Sequence, residues 1–112
     1  KRDRAAFLQT LSSTASLAVC AIVMAELYAG FSNEETGSAG KFLATVDYVC
    51  ASREATELAG QMMHRYKRRG IGLALQDTII AAIAISEGYT LVTDNVQDFP
   101  MPELKLLAPP RN

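Results

Sequence analysis

The chain has 112 residues, 49% hydrophobic, 21% charged and 7% aromatic, and its eleven basic and twelve acidic residues leave a net charge of −1. That length fits one domain, the hydrophobic share excludes intrinsic disorder, and no apolar run reaches the ~18 residues of a membrane-spanning helix. The near-zero charge excludes a nucleic-acid coat protein, so any phosphate binding has to be local or mediated by a metal ion.

The chain opens on Lys1 rather than Met, and residues 4–12 read as the tail of an amphipathic helix, with Ala5, Phe7 or Leu8, and Leu11 on its apolar face. Ser12, Ser13 and Thr14 end it. LAVCAIV (17–23) is a continuous apolar run rich in β-branched residues, the pattern of a strand covered on both faces. It passes into MAELYAGF, a helical stretch closed by Gly30. SNEETGS (32–38) is polar and reads as a turn. Phe42, Leu43 and Val46 suggest a helix running toward a second apolar run, YVC (48–50).

Ser52 is an N-cap for a helix over 53–69, in which Ala55, Leu58, Ala59, Met62, Met63 and Tyr66 recur at helical spacing. Arg65, Lys67, Arg68 and Arg69 crowd its last turn, where cations complement the helix dipole, and Gly70 caps it. The run HRYKRRG (64–70) fits RNA phosphates, but C-capping and a solvated face account for it more simply. QDTIIAAIAISEG (76–88) is a strongly apolar helix ending at Gly88, YTLVT (89–93) is a strand, and LKLLAP (104–109) is another.

Cys20 and Cys50 each lie in an apolar run and read as two buried free thiols of a reducing cytosol rather than a disulfide. The single His64 and the absence of CxxC or HxxxH spacing argue against a structural zinc site. No apolar signal-peptide core follows the charged start, so the expectation is a soluble, cytoplasmic protein.

Strands alternating with helices of this length predict βαβ units and a parallel sheet, whose ligands bind beyond the carboxyl ends of the strands. The polar residues at those ends are Glu26 after LAVCAIV, and Asp94, Asn95 and Asp98 after YTLVT. Asp77, at a helix start, can face the same edge and carries the single charge of a long apolar stretch. Each has a plain explanation: N-capping for Asp77, a solvated helix face for Glu26, turn chemistry for the other three. Taken together they point further. Two carboxylates ~4 Å apart repel by about 4 kcal/mol at an effective dielectric near 20, so a fold that gathers acids normally keeps a cation among them. Oxygen donors without histidine or thiolate select Mg²⁺ or Mn²⁺, and such an ion can activate water and clamp a phosphodiester.

The stretch GLALQDTIIAAIAISEGYTLVTDNVQDFPMPELKLLAP resembles the C-terminal half of a PIN-domain ribonuclease of the VapC toxin type, and VCAIVMAELYAG resembles that family's second motif, a strand followed by a helix bearing a glutamate. The matches run from about residue 17 to 109. The resemblance implies one PIN-like domain over 1–112, a three-layer α/β/α fold around a mostly parallel sheet of four or five strands. It implies a metal-dependent endoribonuclease, the toxin of a type II toxin–antitoxin pair, using Mg²⁺ or Mn²⁺ to hydrolyse RNA. Glu26 and Asp77 carry over as metal-organising acids, and Asp98 matches the acid of the motif's DF pair. Thr93 and Asn95 match the strand-end TxN or TxD motif, as residues that orient water or an acidic partner. Asp94 occupies a variable position there and ranks below Asp98 as a metal-side acid. The implied partners are RNA, a cognate antitoxin and a second copy of the chain, with Tyr28 and Phe31 as candidate contacts for either protein.

The pattern departs from the family at its beginning. PIN domains open with a central strand ending in an aspartate, and only 25 residues, the first dozen helical, precede Glu26. Asp3 in KRDRAA has no apolar strand before it. The expectation is therefore an N-terminally incomplete domain with weak cleavage or none as it stands. The alternative is a catalytically incomplete PIN-like module that binds a partner protein or RNA.

Overall fold

The computed structural model describes residues 16–109. The expected helix over 4–12 and the expected lack of an opening strand lie outside the described residues. The chain divides between Cys50 and Ala51 into two compact units.

The first unit holds strand β1 (Ala18–Val19), helix α1 (Ala21–Gly30), helix α2 (Asn33–Leu43) and strand β2 (Asp47–Tyr48). β1 and β2 pair in parallel, Ala18 opposite Asp47 and Val19 opposite Tyr48. Bonds from the Asp47 amide to the Leu17 carbonyl (2.9 Å) and from the Val49 amide to the Val19 carbonyl (2.8 Å) extend the ladder at both ends. The strand expected over 17–23 is thus much shorter. Ala21, Ile22 and Val23 belong to α1, whose first turn closes from the Met24 amide to the Cys20 carbonyl at 2.9 Å. β-branching disfavours a helix by only a few tenths of a kcal/mol per residue, which a continuous hydrogen-bonded turn outweighs. Nor is β1 covered on both faces, since Ala18 is exposed and Val19 half-buried.

SNEETGS is a second correction, because it forms the opening turns of α2 rather than a loop. The Ser32 hydroxyl accepts from the Glu35 amide (3.2 Å) and a Glu35 carboxylate oxygen accepts from the Ser32 amide (2.8 Å). This reciprocal capping box satisfies two of the amide donors that a helix start leaves without partners. Both cysteines are free as expected, but only Cys20 is buried; Cys50 is exposed.

The second unit holds helix α3 (Arg53–Arg68), helix α4 (Leu75–Glu87), strand β3 (Thr90–Val92), a 3₁₀ turn (Val96–Asp98) and strand β4 (Lys105–Leu107). The Ser52 hydroxyl caps α3 by accepting from the Ala55 amide at 3.0 Å. Ala55, Ala59, Met62 and Tyr66 form its buried stripe, facing the small and branched residues Ile80, Ala81, Ala82, Ile83 and Ala84 of α4 in one core with Phe99, Met101 and Leu104. β3 and β4 pair in parallel from Thr90–Lys105 to Val92–Leu107, and the Thr93 amide adds a bond to the Leu107 carbonyl at 3.1 Å. Gly88 takes φ +75°, the left-handed turn that releases the chain from α4 into β3.

The α/β class with parallel strands is borne out, and the described residues distribute it over two parallel pairs, β1–β2 and β3–β4. Among the described residues no helix is long and apolar enough to cross a membrane.

Candidate active site

Asp77 is the third residue of α4. The N-cap is Ala74, which offers no side-chain cap, and the Thr78 hydroxyl donates back to the Ala74 carbonyl at 2.7 Å. The capping explanation of Asp77 therefore fails: the helix begins too early for its carboxylate to cap the amides of Ile79 or Ile80. A carboxylate in a first turn is favoured by the helix dipole. Partial burial nevertheless pushes the Asp77 carboxyl up from its ordinary value of 3.8, and the negative charge of Asp98 pushes it further. Both causes disfavour the charged form, which is the condition under which an acid recruits a cation or holds a proton.

Asp98 reaches Asp77 because of the turn that follows β3. The Thr93 hydroxyl accepts from the Asn95 amide (3.1 Å), and the Asp98 amide donates to the Asn95 carbonyl (2.9 Å), folding TDNVQD into a tight 3₁₀ turn. Thr93 and Asp94 are half-buried, while Asn95 and Asp98 are exposed. Beyond Asp98 the chain is pinned: Phe99 and Met101 are buried, and the Tyr66 hydroxyl donates to the Pro100 carbonyl at 3.3 Å. Sequence reasoning placed Tyr66 on the core stripe of its helix. Its hydroxyl bond 34 residues away, which anchors the segment bearing Asp98, left no local signal beyond the aromatic itself.

The second unit thus brings Asp77 and Asp98 into electrostatic contact, with Thr93 and Asn95 shaping the turn between strand and acid. No third His, Cys, Asp or Glu among its described residues completes a ligand set of three. Glu26 stands exposed on α1 of the first unit. A pair of oxygen donors suits a hard ion: Mg²⁺ is commonly held by one or two carboxylates, with water and substrate phosphate filling its remaining positions. The donor chemistry of Asp77 and Asp98 therefore fits such an ion.

A PIN-domain family model matches residues 1–100. Among curated proteins, the chain is 36% identical over 94 residues to ribonuclease VapC10 of Mycobacterium tuberculosis, covering 84% of this chain and 69% of that one. It is 29% identical over 97 residues to ribonuclease VapC2 of Rickettsia felis, covering 82% of this chain and 72% of its relative. Among solved structures, VapBC2 of Rickettsia felis bound to a promoter DNA fragment superimposes with a TM-score of 0.74 at 29% identity, over 90% of this chain and 80% of that one.

Proposed function

The chain belongs to the PIN-domain family, and from that premise we propose that it is a VapC-type endoribonuclease, the toxin of a toxin–antitoxin pair, acting on RNA phosphodiesters. The observation that carries the reading to particular residues is the Asp77–Asp98 pair, an acid in the first turn of α4 repelled by the charge of one in the turn after β3. Mg²⁺ or Mn²⁺ bound there would supply charge neutralisation for the scissile phosphate and a water of lowered pKa.

Asp77 and Asp98 would hold the ion, and Asp94, one residue past Thr93, is a further oxygen donor on the same turn. Thr93 keeps the turn closed through its bond from the Asn95 amide, which sets where Asp98 stands. The Asn95 side chain is exposed beside it and can hydrogen-bond water or phosphate. Glu26 takes its role as a metal-organising acid from its motif in VCAIVMAELYAG alone. The proposed partners are RNA as substrate, a cognate antitoxin, as in the VapBC assembly of the relative, and a second copy of the chain. The proposed domain is single, over 1–112, and the proposed compartment is the cytoplasm.

The test is RNA cleavage by this chain in Mn²⁺ and in EDTA, beside Asp77→Asn, Asp98→Asn and Glu26→Gln. Weak cleavage that needs Mn²⁺ and is lost on substituting each acid is the expected result. Metal-dependent cleavage surviving Asp77→Asn and Asp98→Asn would remove the site. Metal-independent RNA binding without cleavage would favour a binding module instead.

A further inference from the structure

The end of α3 carries Arg65, Lys67 and Arg68 in its last turn and Arg69 at its C-cap, all exposed. Their plain explanation is capping of the helix end, but the backbone has already done that. The Ile71 amide donates to the Tyr66 carbonyl and the Gly70 amide to the Lys67 carbonyl, both at 2.9 Å, with Gly70 at φ +81°. This is the Schellman closure, and it satisfies the Tyr66 and Lys67 carbonyls from the backbone, without help from the side chains. No carboxylate lies within ion-pair distance of the four cations among the described residues, where Arg53–Glu57 forms the ion pair of the same helix. Arg65 and Arg69, four residues apart, repel one another across one helix face. Arg69 is held in place as well: its Cζ sits 4.3 Å from the centroid of the Tyr66 ring. The hydroxyl of that ring donates to the Pro100 carbonyl, two residues beyond Asp98. A fixed guanidinium is thereby linked through one side chain to the segment that carries an acid of the site.

We propose that this helix end is the arm that binds the RNA backbone, with Arg69, stacked on Tyr66, as its fixed phosphate contact and Arg65, Lys67 and Arg68 as accessory cations. The inference rests on the ribonuclease reading and adds to it the path of the substrate: the strand runs over the end of α3 toward the Asp77–Asp98 pair. A stacked guanidinium keeps its donors free for phosphate oxygens, and planar donation of this kind distinguishes Arg from Lys.

Binding is measured separately from cleavage, by fluorescence anisotropy of a labelled single-stranded RNA on the full chain carrying Asp77→Asn, in EDTA, across a salt series. Arg69→Gln is expected to lower the slope of log affinity against log salt by roughly 0.7, and the triple Arg65→Gln/Lys67→Gln/Arg68→Gln variant by up to about 2, for every RNA sequence alike. In Mn²⁺ on the cleaving chain, Arg69→Gln is expected to raise KM with kcat unchanged, and Arg69→Lys to restore part of the loss. An unchanged melting temperature shows that the variants remain folded. Slopes and KM unaltered in both variants overturn the arm, and they leave the nuclease reading intact if Mn²⁺-dependent cleavage persists. Polyglutamate binding as tightly as RNA at equal salt also overturns it, since the surface would then be one for acidic protein. Altered slopes with no cleavage under any metal support the arm and favour the RNA-binding module over cleavage by this chain.

Discussion

Asp77→Asn is expected to stabilise the metal-free protein at neutral pH. The carboxyl of Asp77 is raised in the folded chain, first by partial burial and then by Asp98. The folded state therefore holds that proton more tightly than the unfolded state does. The resulting stability is fully present below the ordinary value of 3.8 and is lost as pH rises through the raised folded value, so at neutral pH the parent carries the cost of the charged pair. Asp98 is exposed, which screens the repulsion to about 0.2–1 kcal/mol, and burial of Asp77 adds to it. At roughly 4–8 °C per kcal/mol for a domain of this size, the substitution should raise the melting temperature by a few degrees at pH 7 and by nothing below pH 3.8. Mn²⁺ should reverse the order. An ion at a hundredfold excess over its Kd stabilises the parent by about 2.7 kcal/mol and should leave the variant unmoved. Thermal unfolding followed by circular dichroism, across pH and with and without Mn²⁺, reads all of this. A variant less stable than the parent at pH 7, or a difference that does not change with pH, would refute the account of Asp77 as an acid held against its own charge.

Met62 is 1% exposed at the centre of the α3–α4 contact, so Met62→Ala should cost about 2–5 kcal/mol, read as a lower urea midpoint with an unchanged slope. Ser52→Ala removes the hydroxyl that accepts from the Ala55 amide and should cost about 1 kcal/mol in thermal unfolding, while Ser52→Asp should hold the parent's stability. Gly88 has φ +75° with no atom near the position of an added Cβ, so Gly88→Ala should cost only the left-handed backbone term, about 1–2 kcal/mol; a larger loss in calorimetry would mean a packing role instead.

The second unit was more legible from sequence than the first, and the reason lies in the kinds of signal each carries. α3 has a hydroxyl cap at Ser52, a buried stripe at helical spacing and a glycine just past its end, and all of these point to the same element. α4 ends at Gly88 as its sequence requires, but its start depends on Ala74, a residue without a capping side chain. The capping explanation of Asp77 was attractive only while that start was unknown. In the first unit, Ile22 and Val23 carry a strand signal inside a helix, because β-branching is a weak preference and the hydrogen bond into Cys20 decides. The turn expected at SNEETGS contained its own correction: serine followed three residues later by glutamate is a capping box, and it outweighs the polarity that suggested a loop. Asp77 and Asp98 were both legible as acids at strand and helix ends. Their meeting at one edge was expected as well; what the sequence did not show is how Asp98 is held, by the local Thr93–Asn95 turn bond and by the long-range bond from Tyr66 to Pro100.

The net charge of −1 looks like neutrality, but within the second unit it hides a separation of charge. Asp98 adds to the burial that already disfavours the charged form of Asp77, and the end of α3 holds four cations without a carboxylate partner among the described residues. Either group would be more stable if interleaved with the other's sign, as helix surfaces usually are. The helix dipole favours cations at the end of α3 but gives no reason to leave them without carboxylate partners. The separation suits the proposed RNA substrate, itself a line of negative charge, which cations would meet along its length and a metal-loaded acid pair would meet at the bond to be cut. Tyr66 joins the two regions physically, its ring under Arg69 and its hydroxyl on Pro100. One buried side chain rather than a loop thus ties the proposed backbone contact to the segment bearing Asp98, and if the RNA follows that path such a link would favour placing one phosphodiester over its neighbours at the acids.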